Sequence, residues 1–559
     1  MDTQRLILFF IFGFSLLMLW EAWEKEHRPQ PAPQAQVSSA VPSSAAPGPS
    51  AKAGAQPPAA PRPAEGSIPG AAAPAAKGET ITVRTDLVIA EIDTLGATLK
   101  RVELLKHKEA KDSAKNLVLL GREHRYEAQS GITGAGGPNH HSVFLAQAGD
   151  RVLADGQEMI ELRLTSHGAD GLEVTKLYRF KRNSYVIDVV LEIKNTKAVA
   201  VVSPDTYFQL THDGTSSADA NAVASTFGAQ SFNGFAVYTE EKKFEKVQLT
   251  DVDKKKVDHV KQASDGWLAY VQHYFVAGWI PPAKLVRSYE VLKRDDLYFG
   301  TVRIPVGTIE PGASASVAVP LYAGPQEQSR LAAVAPGFDL VVDYGWLTII
   351  AWPLFWLLEK FHALSGNWGV AIILLTVLIK VIFFPLSAAS YKSMAKMKLI
   401  TPRMQKIREM HENDRQKMNQ AMMELYKTEK INPLGGCFPI LVQIPVFIAL
   451  YWVLLAAIEL RHAPFVLWIH DLSALDPYYV LPILMTITMV LQTRMNPVPP
   501  DPVQAKVMQF MPFIFSIFFF FFPAGLVLYW LVNNILSIAQ QWQIQRMFDR
   551  GKTAAHAKR

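Results

Sequence analysis

The chain has 559 residues, a formal net charge of +6 and a hydrophobic content of 49%. The length allows two or three domains, and the hydrophobic content is close to the average of soluble proteins. The single cysteine, Cys437, excludes an intrachain disulfide, so a domain outside the cytoplasm must fold on its core alone. The distribution is more informative than the mean, because charged residues crowd positions 81–340 while long stretches after Trp368 carry almost none.

The N-terminal residues 1–23 contain an apolar run at positions 6–20 that follows Arg5. The run ends in Trp20-Glu21-Ala22-Trp23 and not in a small-residue cleavage site. This pattern favours a retained transmembrane anchor over a signal peptide that is removed. Residues 24–78 follow, dominated by Pro and Ala, and they bury too little apolar surface to fold. We therefore expect a flexible linker there.

Residues 79–336 show short alternating runs rich in Val, Ile, Leu and Thr, for example at 81–89 and 185–193. Turn-forming Gly, Asn and Asp residues separate the runs, which predicts an antiparallel all-β domain. The histidines of this region lie in polar, loop-like contexts without metal-ligand spacing. No metal is therefore expected.

The segment 337–366 is apolar and aromatic, but Asp343, Pro353 and Glu359 interrupt it. A helix that lies in the headgroup plane fits this pattern better than a span. Five more apolar segments, at about 368–386, 438–458, 477–494, 507–522 and 526–541, are candidate spans, the third of them short. With the anchor, the sequence predicts six transmembrane helices.

The charges between the spans predict the orientation. The segment 390–430 and the tail 546–559 are rich in Lys and Arg, whereas the loop 459–476 carries three acidic residues against Arg461. Basic loops stay in the cytoplasm, so both termini are predicted to be cytoplasmic and the β domain extracytoplasmic.

The cytoplasmic segment 390–430 is predicted to be a helical hairpin. Thr401 and Pro402 are typical of an N-cap and a first helical position. Each helix has one apolar stripe at spacings of three and four, which favours packing of the two helices against each other. Three basic residues follow Thr401 in the first helix: Arg403, Lys406 and Arg408.

Four long segments resemble one family. They are SMAKMKLITPRMQKIRE (393–409), ELYKTEKINPLGGCFPILVQIPVFIALY (424–451), APFVLWIHDLSALDPYYVLPILM (463–485) and FPAGLVLYWLVNN (522–534). These segments resemble the YidC-type membrane protein insertases, in the Gram-negative form with a large periplasmic domain. The resemblance implies a five-helix insertase core at 367–545 and a periplasmic β-supersandwich. It implies a multi-pass protein of the bacterial inner membrane that inserts and helps fold other membrane proteins, alone or with the Sec translocon.

Lys380 is the only charged residue in the span at 368–386. A lone cation in a span is costly, so it is expected to face water or a partner. Family members commonly carry arginine at this position, and lysine keeps the charge but loses the planar fork of donors. Snorkelling to the cytoplasmic interface, about 9 Å away at 1.5 Å per residue, is the alternative.

Polar residues in the other spans favour a hydrophilic groove around Lys380, open to the cytoplasm. Singly, each such residue more often makes a hydrogen bond between helices. The predicted groove residues are Lys380, Thr376, Gln443, Ser516, Asn533 and Asn534. The resemblance implies that Phe447, Phe518 and Trp530 contact the substrate helix.

The expected partners are nascent integral membrane proteins, the Sec translocon with its accessory subunits, membrane lipids and, weakly, the translating ribosome. No cofactor, small-molecule substrate or enzymatic activity is expected. The alternatives are a membrane-anchored periplasmic carbohydrate-binding protein and a secondary transporter. The first leaves the five spans without a purpose, and the second usually shows paired repeats that this chain lacks.

Overall fold

The computed structural model describes residues 78–556 except 110–111, 113, 135, 202–204, 216–231, 412–413, 430–437 and 497–501. The predicted anchor at 1–23 lies outside these residues, as does all of the predicted linker except Gly78. Two parts follow each other along the described chain. The first consists of β-strands and the second of α-helices.

The strands of the first part occupy residues 80–325. They are β1 (Thr80–Arg84), β2 (Val88–Asp93), β3 (Thr98–Lys108), β4 (Asn116–Leu120), β5 (Glu127–Ile132), β6 (Leu145–Ala146), β7 (Met159–His167), β8 (Leu172–Lys181), β9 (Val186–Asn195), β10 (Asp205–His212), β11 (Gly234–Thr239), β12 (Lys243–Gln248), β13 (Gln262–Ala263), β14 (Trp267–Val271), β15 (Phe275–Trp279), β16 (Arg287–Arg294), β17 (Leu297–Pro305) and β18 (Ser314–Pro325).

These strands form two large antiparallel sheets. One has the order β1-β2-β3-β5-β10-β17-β16-β13, with β4 paired to β3, and the other has the order β12-β11-β14-β15-β18-β9-β8-β7-β6. Buried and exposed residues alternate along β7, as expected of a strand with one face on the core. Phe208 of the first sheet packs edge-on against Trp279 of the second, with ring centroids 5.2 Å apart. The core of this β domain therefore lies between the sheets.

The helices are mostly in the second part. They are α1 (Leu249–Asp253), α2 (Gln328–Val334), α3 (Thr348–Ser365), α4 (Trp368–Ile382), α5 (Phe384–Met410), α6 (Arg415–Thr428), α7 (Phe438–Ala456), α8 (Val480–Met495), α9 (Pro502–Phe519) and α10 (Ala524–His556).

The structure corrects two sequence-based predictions about α4 and α5. The predicted span at 368–386 ends at Ile382, and the chain bends by 66° into α5. Pro385 explains the break, because it cannot donate a hydrogen bond to the preceding turn. The predicted helix start at Thr401 is wrong, since α5 runs through Pro402. The Thr401 hydroxyl instead donates to the Met397 carbonyl, 3.1 Å away within the same helix.

The apolar helices differ in whether they are long enough to cross a membrane. Among the described residues, Gly345–Ser365 alone is long and apolar enough to cross a membrane unaided. The bent pair of α4 and α5 passes the same criterion only when both helices are counted together. Val442–Ala456, Val480–Met495 and Ala505–Phe519 are shorter apolar helices. The number of six spans and the interfacial position of 337–366 therefore stay predictions.

The β domain and the helical part are in contact at several points. The Trp267 indole N–H donates to the Pro336 carbonyl at 3.1 Å, and Phe338 packs edge-on against the same ring. The guanidinium of Arg461, which follows α7, lies 5.6 Å from the centre of the Phe275 ring. These contacts hold the segment that leaves the β domain and the end of α7 against the sheets.

Candidate functional site in the helical core

Lys380 lies in the last turn of α4, and its side chain is turned into the helical core. The residue is 6% exposed, and its ammonium donates a hydrogen bond to the Ser537 hydroxyl of α10 at 2.7 Å. No carboxylate of the described residues forms an ion pair with it. A cation in the last turn of a helix is favoured by the partial negative charge of the carbonyl end.

Ser537 connects three helices. Its hydroxyl donates to the Asn533 carbonyl within α10 at 2.7 Å, and its oxygen accepts from Lys380 of α4. The Tyr391 hydroxyl of α5 also hydrogen-bonds with Ser537. The bend between α4 and α5 lets both Lys380 and Tyr391 reach the same side of α10.

Two more polar residues of α10 contact neighbouring helices. The Gln443 amide of α7 donates to the Asn533 side-chain oxygen at 3.1 Å. The Asn534 amide donates to the Thr488 hydroxyl of α8 at 2.9 Å. The long helix α10 is therefore the element on which the polar contacts of α4, α5, α7 and α8 converge.

The other two predicted groove residues make local hydrogen bonds. The Thr376 hydroxyl donates to the Ile372 carbonyl at 2.7 Å, within α4. The Ser516 hydroxyl donates to the Pro512 carbonyl at 2.5 Å, within α9. Both side chains are buried. The structure thus brings Lys380, Gln443, Asn533 and Asn534 together around α10, whereas the hydroxyls of Thr376 and Ser516 donate to carbonyls of their own helices.

The sequence did not single out two members of this polar set. Tyr391 lies beyond the bend, so its distance from Lys380 along the chain gave no signal. Gln541 of α10 is fully buried, and its amide donates to the Asn496 side chain at 3.0 Å. Its spacing of seven residues from Asn534 places both on one face of a helix, and this signal was available in the sequence.

Two of the three aromatic residues predicted to contact a substrate lie next to the polar cluster. Phe447 of α7 and Trp530 of α10 stack with ring centroids 5.0 Å apart. Phe447 follows Gln443 by one turn, and Trp530 precedes Asn533 by about one turn. Phe518 of α9 lies beside Phe515, 6.3 Å away, and all three predicted residues are half-buried. A polar and an aromatic surface therefore adjoin on α7 and α10.

The pair α5 and α6 carries the basic residues of the predicted hairpin. Ile400 and Met404 of α5 are buried against Met422 and Leu425 of α6. Arg403 forms an ion pair with Glu429 at 2.6 Å, but its side chain is 67% exposed, so the pair contributes little stability. Lys406 is exposed and Arg408 is half-buried.

The described part of the chain contains no group of three or more His, Cys, Asp or Glu residues placed to hold a metal ion. The groups that the site offers are one ammonium, several amides and hydroxyls, and an aromatic surface. These groups can bind and orient a chain segment by charge, hydrogen bonds and apolar contact.

Comparisons with known proteins agree over both parts of the chain. Residues 360–552 match the family model described as 60Kd inner membrane protein, and residues 80–357 match the YidC periplasmic domain. The protein of Nitrosospira multiformis named membrane protein insertase YidC is 53% identical, with 98% of each chain covered. The protein of that name from Methylobacillus flagellatus is 51% identical, with 100% of each chain covered. A solved structure described as an active YidC insertase with its first transmembrane domain resolved is 18% identical, covers 82% of this chain and 91% of that chain, and has a TM-score of 0.38.

A helical part that matches an inner membrane protein family, joined to a β domain that matches a periplasmic domain, defines an integral membrane protein with a folded domain outside the bilayer. Both parts of this architecture match the family models in the same order along the chain. The chain belongs to the YidC family of membrane protein insertases.

Proposed function

We propose that the chain inserts integral membrane proteins into the bacterial inner membrane and helps them fold, using the polar cluster around Lys380 as a hydrophilic groove. The observation that carries this mechanism is the ammonium of Lys380, buried in an apolar core and bound to one hydroxyl. Two of its three N–H groups have no hydrogen-bond partner among the described residues, so they can bind water or a client carboxylate.

The physical role of the groove is to lower the cost of moving a polar segment into the membrane. Polar groups without partners in hydrocarbon cost several kcal/mol each by order of magnitude. The amides of Gln443, Asn533 and Asn534 offer replacement partners inside the core. Lys380 attracts acidic residues of the segment, and the membrane potential drives such residues outward.

The apolar helix of the client passes along the aromatic surface. Phe447, Phe518 and Trp530 are half-buried, so each presents part of its ring outside the helical packing. Because this surface adjoins the polar cluster, one client can place its polar segment against Lys380 while its helix contacts the aromatic rings. The client then leaves sideways into lipid between α7 and α9.

We also propose an orientation and a set of partners for the chain. Both termini and the basic pair α5 and α6 lie in the cytoplasm, and the β domain lies in the periplasm, because basic segments are retained inside. The protein works alone or beside the Sec translocon and its accessory subunits, and it contacts lipids and, weakly, translating ribosomes. No cofactor or small-molecule substrate takes part. The family is not a family of enzymes, and membership in it replaces the carbohydrate-binding and transporter alternatives.

The experiment that tests the mechanism is site-specific crosslinking to a stalled nascent membrane protein. A photoreactive residue is placed at 447, 518 or 530 of the full chain in membranes. Position 513 is the matched control, because Phe513 is 52% exposed on α9 but points about 140° away from Phe518 at 100° per residue. We expect crosslinks at 447, 518 and 530 and few at 513. Equal crosslinking at all four positions would show nonspecific contact and contradict the proposed path.

A further inference from the structure

The ammonium of Lys380 could lie either at the cytoplasmic interface or in the helical core. Lys380 lies two residues before the end of α4, so its long stem could extend to the cytoplasmic interface, as lysines near helix ends do. In the structure it is instead turned into the core and bound to α10. What holds it there decides whether the charge is available in the groove.

We propose that Ser537 is the positioning residue that keeps the Lys380 ammonium inside the groove. This inference rests on the proposed function and deepens it. Ser537 is 6% exposed, and its oxygen is 2.7 Å from the Lys380 nitrogen. Among the described residues, Ser537 is the sole hydrogen-bond acceptor of that ammonium.

The direction of the hydrogen bonds supports this role. A serine hydroxyl has one proton, and that of Ser537 is donated to the Asn533 carbonyl at 2.7 Å. The oxygen can therefore act toward Lys380 only as an acceptor, which matches an ammonium donor. The hydrogen bond leaves the other two N–H groups of Lys380 for a client.

The place of Ser537 is itself fixed by the neighbours of α10. Asn533, one turn earlier, accepts from Gln443 of α7, and Asn534 donates to Thr488 of α8. These contacts set the position and rotation of α10, and hence the direction in which Ser537 points. The position of the Lys380 side chain therefore depends on the contacts of α7 and α8 with α10, and not on α4 alone.

The test uses the full chain and two clients that differ only in the translocated segment. One segment carries Asp and Glu, and the other has Asn and Gln at the same positions. The variants are Ser537→Ala, Ser537→Thr, Lys380→Ala and the double variant, at matched protein levels. Thr493→Val is the control, because among the described residues the Thr493 hydroxyl bonds only within its own helix, to the Met489 carbonyl at 2.9 Å.

We expect Ser537→Ala to lower insertion of the acidic client about tenfold relative to the neutral one, as for loss of a hydrogen bond to a charged group. Ser537→Thr retains the hydroxyl and should restore insertion, and Thr493→Val should change neither client. In the Lys380→Ala background, Ser537→Ala should cause no further loss, because the two residues act as a unit.

Several results would overturn the inference: equal losses for both clients, no rescue by threonine, or the same loss with and without Lys380. Each would show that Ser537 only supports helix packing or is dispensable. These results leave the proposed function intact as long as Lys380→Ala itself selectively impairs the acidic client. If the unmodified chain inserted neither client, the proposed function would fail instead.

Discussion

Lys176 of β8 makes the stability of the β domain depend on pH in the alkaline range. Its side chain is fully buried, and its ammonium donates to the carbonyls of Gly96 and Ser130 at 2.5 and 2.6 Å. The ammonium also lies 4.8 Å from the centre of the Phe144 ring. Burial without a carboxylate partner lowers the pKa of Lys176 from 10.5 to about 7.

The sign and size of the effect follow from proton binding. Between pH 7 and pH 9 the unfolded chain keeps this lysine protonated while the folded chain releases the proton. The unfolded state therefore binds more protons, so the free energy of unfolding rises with pH in this window. The slope is about 1.4 kcal/mol per pH unit once the folded lysine is deprotonated, and half of that at pH 7, where it is half protonated, so the rise amounts to roughly 2 kcal/mol over two units. Well below pH 7 both states are protonated, and the contribution to the slope vanishes.

The assay is urea unfolding of the full chain in lipid nanodiscs, with pulse proteolysis of the β domain, at pH 7 and pH 9. We expect Lys176→Met to remove about 2 kcal/mol of the rise in the free energy of unfolding between pH 7 and pH 9. Lys194→Met is the matched control, because Lys194 is exposed on the neighbouring strand β9. The reasoning is refuted if Lys176→Met and the unmodified chain show the same rise.

Two more predictions concern other parts of the chain. Asp476 accepts hydrogen bonds from the Leu481 amide at 2.7 Å and the Trp468 indole at 3.0 Å, at the start of α8. Asp476→Ala should therefore lower the free energy of unfolding by about 1–2 kcal/mol, as for a lost helix cap, and with it the melting temperature in nanodiscs. An unchanged melting temperature would argue against this capping role. Neutralising Arg403, Lys406 and Arg408 and removing the tail 546–559 should weaken co-sedimentation with ribosomes, because basic surfaces attract phosphate. The ribosome binding that remains should be less sensitive to salt. Ribosome binding that is unaffected by salt, by the neutralised residues and by removal of the tail would contradict a contact made by basic residues.

The sequence predicted those features of the fold that depend on local pattern. The alternation at 185–193 corresponds to β9, and the apolar runs after residue 367 correspond to α4 and α7–α10. The order of the strands in the sheets could not be predicted, because strands far apart in the sequence pair with each other. For example, β10 pairs with β17, and Thr206 lies opposite Ile304. The bend before α5 was missed since the apolar run continues across it, although Pro385 was a visible signal.

The candidate site was predictable in composition but not in its contacts. A lone Lys380 and amides at 443, 533 and 534 are conspicuous in apolar segments, so they were identified from the sequence. The hydrogen bond from Lys380 to Ser537 joins residues 157 positions apart and depends on how α4 packs against α10. Whether Thr376 and Ser516 turn toward the cluster or toward their own helices is a matter of side-chain rotamers, which the residue pattern does not specify.

The central claim is that Lys380 acts by its charge inside a hydrophilic groove. The most direct measurement is insertion of the acidic and the neutralised client in cells that carry Lys380→Arg or Lys380→Ala at matched levels. At about 6 Å and an effective dielectric near 20, the attraction between Lys380 and a client carboxylate is on the order of 3 kcal/mol. We predict that Lys380→Arg retains insertion of both clients, while Lys380→Ala selectively impairs the acidic client. Equal losses for both clients, accompanied by lower stability of the protein itself, would contradict the claim and assign Lys380 an anchoring role.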